Sequence, residues 1–260
     1  MGTPSFLDLV TRPAKPRHEG VTAVIDGGAA VGDAVAVLAT SAEHIDLWKL
    51  GWASAYLDPH VEDKIALLHG HGVRTCTGGT LLEIAAHQDR VDACIEWAVA
   101  SGFDYVEVSD GLGRLGPARK AELIALVRRS VPVIAEVGSK DPGQVLSPAA
   151  WASLAAADLD GGVEWVIAEG RESGTVGIYG PDGRVRGDVI DALLDRVGPE
   201  RMLFEAPRKD QQAWFINHLG PSVNLSNVAP REAMGLEALR LGLRADTTAS
   251  VLLRPQVLRA

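Results

Sequence analysis

Four glutamates, Glu107, Glu136, Glu169 and Glu205, sit at the ends of short apolar runs and follow one another at intervals of 29, 33 and 36 residues. Carboxylates brought to one place repel unless a cation or a proton intervenes. A hard divalent ion with oxygen ligands resolves that repulsion, and Mg²⁺ is the default choice. Glu136, Glu169 and Glu205 are therefore the candidate metal ligands, the alternative being that each glutamate pairs with a nearby Arg or Lys. Basic residues fall at the same strand ends: Lys49, Lys140, Arg171, Arg208 and Lys209. Such side chains pair with phosphate and carboxylate through charge-assisted hydrogen bonds, which suits a phosphorylated anionic substrate. Asn224 and Asn227 flank Ser226 after a further apolar run. They are expected to bind substrate, or alternatively to form an Asn-rich turn.

These residues need a scaffold that brings strand ends together. The central stretch is VPVIAEVGSKD, 131–141, an apolar run that ends in Glu136, Gly138, Ser139, Lys140 and Asp141. It is one of eight. The runs predict strands over 21–26, 45–51, 73–77, 105–109, 131–137, 165–169, 202–205 and 223–225, with helices between them. Ser147-Pro148 is the sharpest helix start, since proline at the first helical position loses no hydrogen bond. A hairpin is expected at 179–184. Strand-end polar residues recur roughly every 30 positions, as in βαβ crossovers. Eight such units predict an α/β fold, a TIM-type (β/α)8 barrel as a single domain over 21–260, after an N-terminal arm over 1–20. An open doubly wound sheet is the alternative, and no strong dinucleotide fingerprint supports it. In a barrel the strand C-termini share one mouth, where the active site lies. The arm carries Arg12 and Arg17, which the sequence favours as solvated charges.

The formal net charge of −9 argues against a nucleic-acid partner. No apolar run is long enough to cross a membrane. No signal pattern opens the chain, so a cytoplasmic location is expected. Cys76 and Cys94 lack metal-ligand spacing and read as reduced core thiols. His69 and His71 read as a helix-ending turn rather than a metal pair. Gly78-Gly79-Thr80 offers either an anion cradle or a tight turn with Thr80 as helix cap. The six tryptophans are scattered and are assigned to core and interface.

Nine segments in order resemble the phosphosulfolactate synthase family: KPRHEGVTAVIDGG (15–28), HIDLWKLGWASAYL (44–57), TGGTLLE (77–83), GFDYVEVSDG (102–111), AEVGSKD (135–141), AEGRESG (168–174), FEAPRKDQQAWFI (204–216), GPSVNLSNVAP (220–230) and LEALRLGLRADT (236–247). The family pattern differs at four places, with a second lysine at Ser139, an alanine at Gly170, a proline at Thr77 and a Gly-Thr pair near Ala53-Ser54.

The resemblance implies a TIM-type barrel, Mg²⁺ dependence and a lyase. The family reaction adds sulfite to C3 of phosphoenolpyruvate, through an enediolate that Mg²⁺ stabilises. It gives (2R)-2-O-phospho-3-sulfolactate, an early step toward coenzyme M in methanogens. On that reading Lys140, Glu136 and Arg171 are catalytic, with Lys140 protonating C2. Lys49, Arg171, Lys209, Asn224 and Asn227 bind substrate. Partners are small molecules, and a homo-oligomer is expected. Two alternatives stand beside this one: another nucleophile adding to phosphoenolpyruvate, or a non-catalytic stress-related barrel, since the family includes plant heat-stress proteins.

Overall fold

Alternation of inward and outward side chains organises eight parallel strands: β1 (Thr22–Asp26), β2 (Leu47–Leu50), β3 (Arg74–Thr77), β4 (Tyr105–Val108), β5 (Val133–Val137), β6 (Trp165–Ala168), β7 (Met202–Glu205) and β8 (Leu225–Val228). They close into a barrel in sequence order, β8 pairing with β1. The computed structural model describes residues 6–138, 145–171 and 173–253. The helices around the barrel are α1 (Val31–Ser41), α2 (Ser54–Leu57), α3 (Val61–Gly70), α4 (Gly79–His87), α5 (Val91–Ala100), α6 (Gly116–Val127), α7 (Pro148–Asp160), α8 (Gly187–Val197), α9 (Lys209–Leu219), α10 (Ala233–Arg240) and α11 (Ala245–Val251). Ser147 caps α7, its hydroxyl accepting from the Ala150 N–H at 3.2 Å, with Pro148 at the first position. Helices α2 and α11 were not expected from the sequence. The expected hairpin is a single antiparallel bridge, Tyr179 to Val185.

Two apolar clusters hold this fold. Outward strand residues such as Trp48, Val106, Ala135, Val166 and Phe204 are buried against the helices. Inward residues form a second cluster: Val21, Ala23, Leu47, Cys76, Tyr105, Ile134, Trp165, Ile167 and Leu203. Both faces of each strand are therefore dry, as an all-parallel sheet requires. Cys76 is one of these floor residues and a free thiol, its pKa pushed well up by burial.

The end of the barrel opposite the mouth is closed by the arm. Arg17 is buried, donating to Asp46 Oδ1 and to the carbonyl of Glu43, each at 3.0 Å. Arg12 pairs with Glu237 at 3.0 Å and also reaches the Gly20 carbonyl. The expectation of solvated arginines fails here, because each finds a carboxylate far away in sequence. Arg240 is fully buried and donates to the carbonyls of Pro221, Val223 and Val21, and the Gly20 N–H donates to the Ser222 carbonyl at 2.7 Å.

Strand β8 begins at Leu225, not at Val223, and its pairing with β1 slips by one residue between Thr22–Leu225 and Val24–Val228. Asn224 consequently lies at the closed end, where it accepts from the Val21 N–H at 2.9 Å. The assignment of Asn224 to substrate binding is thereby corrected: its carboxamide stitches the barrel seam. Asn227 takes the left-handed conformation, φ 54°, at the slip. A bulge of this kind re-aims a side chain, and Asn227 faces the mouth.

Candidate active site

Six of the strands place their mouth residue two positions beyond a floor residue, because inward positions recur every second residue. Ile25 follows Ala23, Lys49 follows Leu47, and the glutamates at 107, 136, 169 and 205 follow Tyr105, Ile134, Ile167 and Leu203. All six mouth residues line one cavity of about 210 Å³, with Gly51, Trp52, Gly78, Gly79, Thr80, Arg171 and Asn227 completing its wall. That volume is below the roughly 300–1,000 Å³ typical of larger ligands and suits a small metabolite.

Lys49 is the hub. Its Nζ stands 3.1 Å from Glu107 Oε2, 3.4 Å from Glu205 Oε1 and 4.0 Å from Glu136 Oε2. Burial alone would favour the neutral amine, but Glu107, Glu205 and Glu136 together outweigh it, and the Lys49 pKa rises well above the usual lysine value. Lys49 thus carries a permanent charge at neutral pH. The expected alternative of a local basic partner for each glutamate is realised in part: one lysine serves three.

Backbone N–H groups fix the carboxylates further. Glu107 Oε1 accepts from the Gly79 N–H at 2.9 Å, at the start of α4. The anion cradle expected at Gly78-Gly79-Thr80 is thus turned partly toward the chain's own carboxylate. A Cβ on Gly79 would strike the Ser109 side chain, so glycine is required for this approach. Thr80 makes no capping bond. Glu205 Oε2 accepts from the N–H groups of Gly170 and Arg171, at 2.8 and 2.9 Å. Glu169 Oε1 accepts from the same Arg171 N–H at 2.7 Å. This turn puts Arg171 at φ 60° and its residue on the cavity wall. The Tyr179 hydroxyl donates to the Glu205 carbonyl and ties the following loop to the mouth.

The structure sorts the other expected residues. Lys209 points outward, its Nζ 2.8 Å from Asp246 Oδ1, which corrects its assignment to substrate. Arg208 pairs with Asp210 at 2.8 Å. Lys140 lies outside the described residues. Among the described residues, no three His, Cys, Asp or Glu side chains stand close enough to hold an ion by themselves. Glu136, Glu169 and Glu205 are thus not a self-sufficient ligand set, and Glu205 is engaged at both oxygens. The formal charge of the described lining nevertheless suits a cation, with four carboxylates against Lys49 and Arg171. A Mg²⁺ ion keeps several waters and takes one or two carboxylates plus substrate oxygens, a demand that Glu136 and Glu169 fit.

Sequence reasoning missed Trp52, assigned to core or interface with the other tryptophans. It lines the cavity and is 57% exposed. Its place at the end of β2, three residues beyond Lys49, was the available signal.

A closed parallel barrel with charged residues converging at its C-terminal mouth defines an enzyme-type scaffold. Residues 10–246 match the family described as (2R)-phospho-3-sulfolactate synthase (ComA), and the chain belongs to that family. It is 38% identical to the phosphosulfolactate synthase of Methanothermobacter thermautotrophicus, over 94% of this chain and 98% of that protein. It is 37% identical to the Bacillus subtilis phosphosulfolactate synthase, over 93% and 97%. Among solved structures, the fold is shared with 3-hexulose-6-phosphate synthase from Salmonella typhimurium, at a TM-score of 0.54 and 13% identity, covering 88% of this chain and 94% of that one. No helix among the described residues is long and apolar enough to cross a membrane.

Proposed function

We propose that this chain adds sulfite, or a related sulfur nucleophile, to C3 of phosphoenolpyruvate, giving (2R)-2-O-phospho-3-sulfolactate. The observation that carries the reading is the mouth itself: Lys49, Arg171 and four glutamates in one small cavity of a chain 38% identical to a phosphosulfolactate synthase. Arg171 is the residue for the substrate phosphate, because guanidinium pairs bidentately with phosphate oxygens. Lys49 supplies a fixed positive charge and holds Glu107, Glu136 and Glu205 in place around the substrate.

Glu136 and Glu169 are the residues that would hold Mg²⁺. When bound, the ion supplies Lewis-acid charge to substrate oxygens and lifts the net negative field that would repel an anion. The sulfur lone pair forms the C3–S bond, and the C2–C3 π pair moves to C2 and its carboxylate. C2 then takes a proton, and the phosphate ester stays intact. Lys140, two residues past Gly138 in the sequence, is the proposed acid, since a lysine ammonium can donate a proton.

The deciding experiment incubates the protein with phosphoenolpyruvate, Mg²⁺ and a panel of sulfur nucleophiles, with products read by mass spectrometry. Formation of the sulfonated product with sulfite, abolished by chelator and restored by Mg²⁺, is expected. A product from another nucleophile and none from sulfite would replace sulfite in this reading, and turnover in confirmed metal-free enzyme would remove the ion.

A further inference from the structure

Five non-glycine residues among those described adopt the left-handed backbone region: Trp52, Ala53, Asp89, Arg171 and Asn227. Three of them, Trp52, Arg171 and Asn227, line the cavity. Asparagine tolerates this conformation; a bulky tryptophan followed by an alanine does not, and persists there only where its surroundings over-determine it. They do. The Gly51 N–H donates to the Asp26 carbonyl at 2.8 Å, and the Ser54 N–H donates to the Gly51 carbonyl at 2.9 Å. The fully buried Lys64 bridges Asp26 at 3.3 Å and Asp58 at 2.7 Å, anchoring the far end of α2. A Cβ on Gly27 would fall inside the Trp52 indole, so Gly27 leaves a seat for the ring. With 57% of its surface exposed, Trp52 gains little from burial. The residue both lines the cavity and reaches solvent.

We propose that Trp52 is a specificity-determining residue, a fixed wall that shields the reacting carbon from water while a sulfur oxyanion enters. The proposal rests on the phosphoenolpyruvate reading above. Its chemical meaning is definite. Water adding across the same double bond, oxygen to C3 and a proton to C2, converts phosphoenolpyruvate to 2-phosphoglycerate, with no oxidant or reductant. An enzyme that activates C3 must therefore keep water off it, and exclusion of water by an apolar wall is a standard means. Tyr56 and Leu57 of α2, 70% and 77% exposed, offer Trp52 the competing role of a contact between copies of the chain.

The experiment compares wild type, Trp52→Ala and Trp52→Phe with phosphoenolpyruvate, Mg²⁺ and sulfite, measuring 2-phosphoglycerate against the sulfonated product. Trp52→Ala should raise that ratio at least tenfold, Trp52→Phe less, with thermal unfolding unchanged. A second arm titrates phosphoenolpyruvate and Mg²⁺ without sulfite, following tryptophan emission beside calorimetry. A saturable emission change in wild type should vanish in Trp52→Phe while the heat of binding persists. An unchanged product ratio, with or without a changed oligomeric state, overturns the wall. Where wild type forms no sulfonate, the function reading falls and the emission arm alone decides on Trp52, an emission change identical in Trp52→Phe overturning it. Absence of phosphoenolpyruvate binding overturns both.

Discussion

Replacing Lys49 with methionine should make stability pH-dependent in a range where the wild-type lysine contributes a constant amount. The ammonium lies 3.1, 3.4 and 4.0 Å from three carboxylates. At an effective dielectric of about 20, those separations give a gross attraction of about 14 kcal/mol, most of it consumed by desolvation and by repulsion among the glutamates. The variant can escape by binding a proton at one glutamate. In the folded variant that group holds a proton which the unfolded chain releases, so its stability falls as pH rises, by about 1.4 kcal/mol per unit. In the wild type the Lys49 pKa is raised, so its contribution is full below the unfolded lysine value and is lost only as pH climbs through the folded one. Between pH 5 and 7 it is constant. Urea unfolding of both proteins at pH 5, 6 and 7 should show the gap widening by about 1.4 kcal/mol per unit, about 3 kcal/mol in all. A gap independent of pH would refute the hub.

Arg171→Ala should weaken phosphoenolpyruvate binding by roughly 10- to 150-fold, the equivalent of about 1.5–3 kcal/mol for a charge-assisted contact; unchanged calorimetric affinity would remove Arg171 from the site. Lys140→Ala should bind phosphoenolpyruvate yet lose turnover by roughly 10²–10⁴-fold, and Lys140→Arg should fail almost as badly, because guanidinium is a poor proton donor. Near-normal kcat in the arginine variant would leave Lys140 as an electrostatic clamp. Ala53→Gly should stabilise the protein by about 1 kcal/mol, the left-handed strain of about 1–2 kcal/mol being partly offset by glycine's chain entropy. The motive is φ 56° at Ala53, and a lowered melting temperature would contradict it.

The barrel was legible because period carries it. Short apolar runs recurring with helical spacers permit few topologies, and strands β1 to β7 overlap the expected segments. Helix α8 matches at both ends, over 187–197. Strand β8 was misplaced because its inward residue, Ser226, is polar and its bulge at Asn227 breaks alternation, so the apolar run looked finished at Leu225. That slip carried Asn224 to the wrong end. The glutamates were readable as a set because each ends a strand, whereas their partners were not. Arg12 meets Glu237 across 225 residues, and Lys49 meets Glu205 across 156; no local pattern encodes such pairs. Lys209 sat at the right strand end but turned toward Asp246 on α11, a helix the sequence reading did not contain.

The seam between β1 and β8 sets the order in which this chain can be completed. Val21 needs Asn224, Gly20 needs Ser222, and Arg12 needs Glu237. At a synthesis rate of about 5–20 residues per second, the stretch between Gly20 and Arg240 takes roughly 10–45 s to emerge. Throughout that time β1 has one bare edge, able to pair with any passing strand. Arg12 lacks its distant carboxylate for the same interval, whereas Arg17 meets Asp46 early. Ring closure is therefore an event of the nearly finished polypeptide, and a ribosome stalled before residue 220 would hold out an open, sticky sheet.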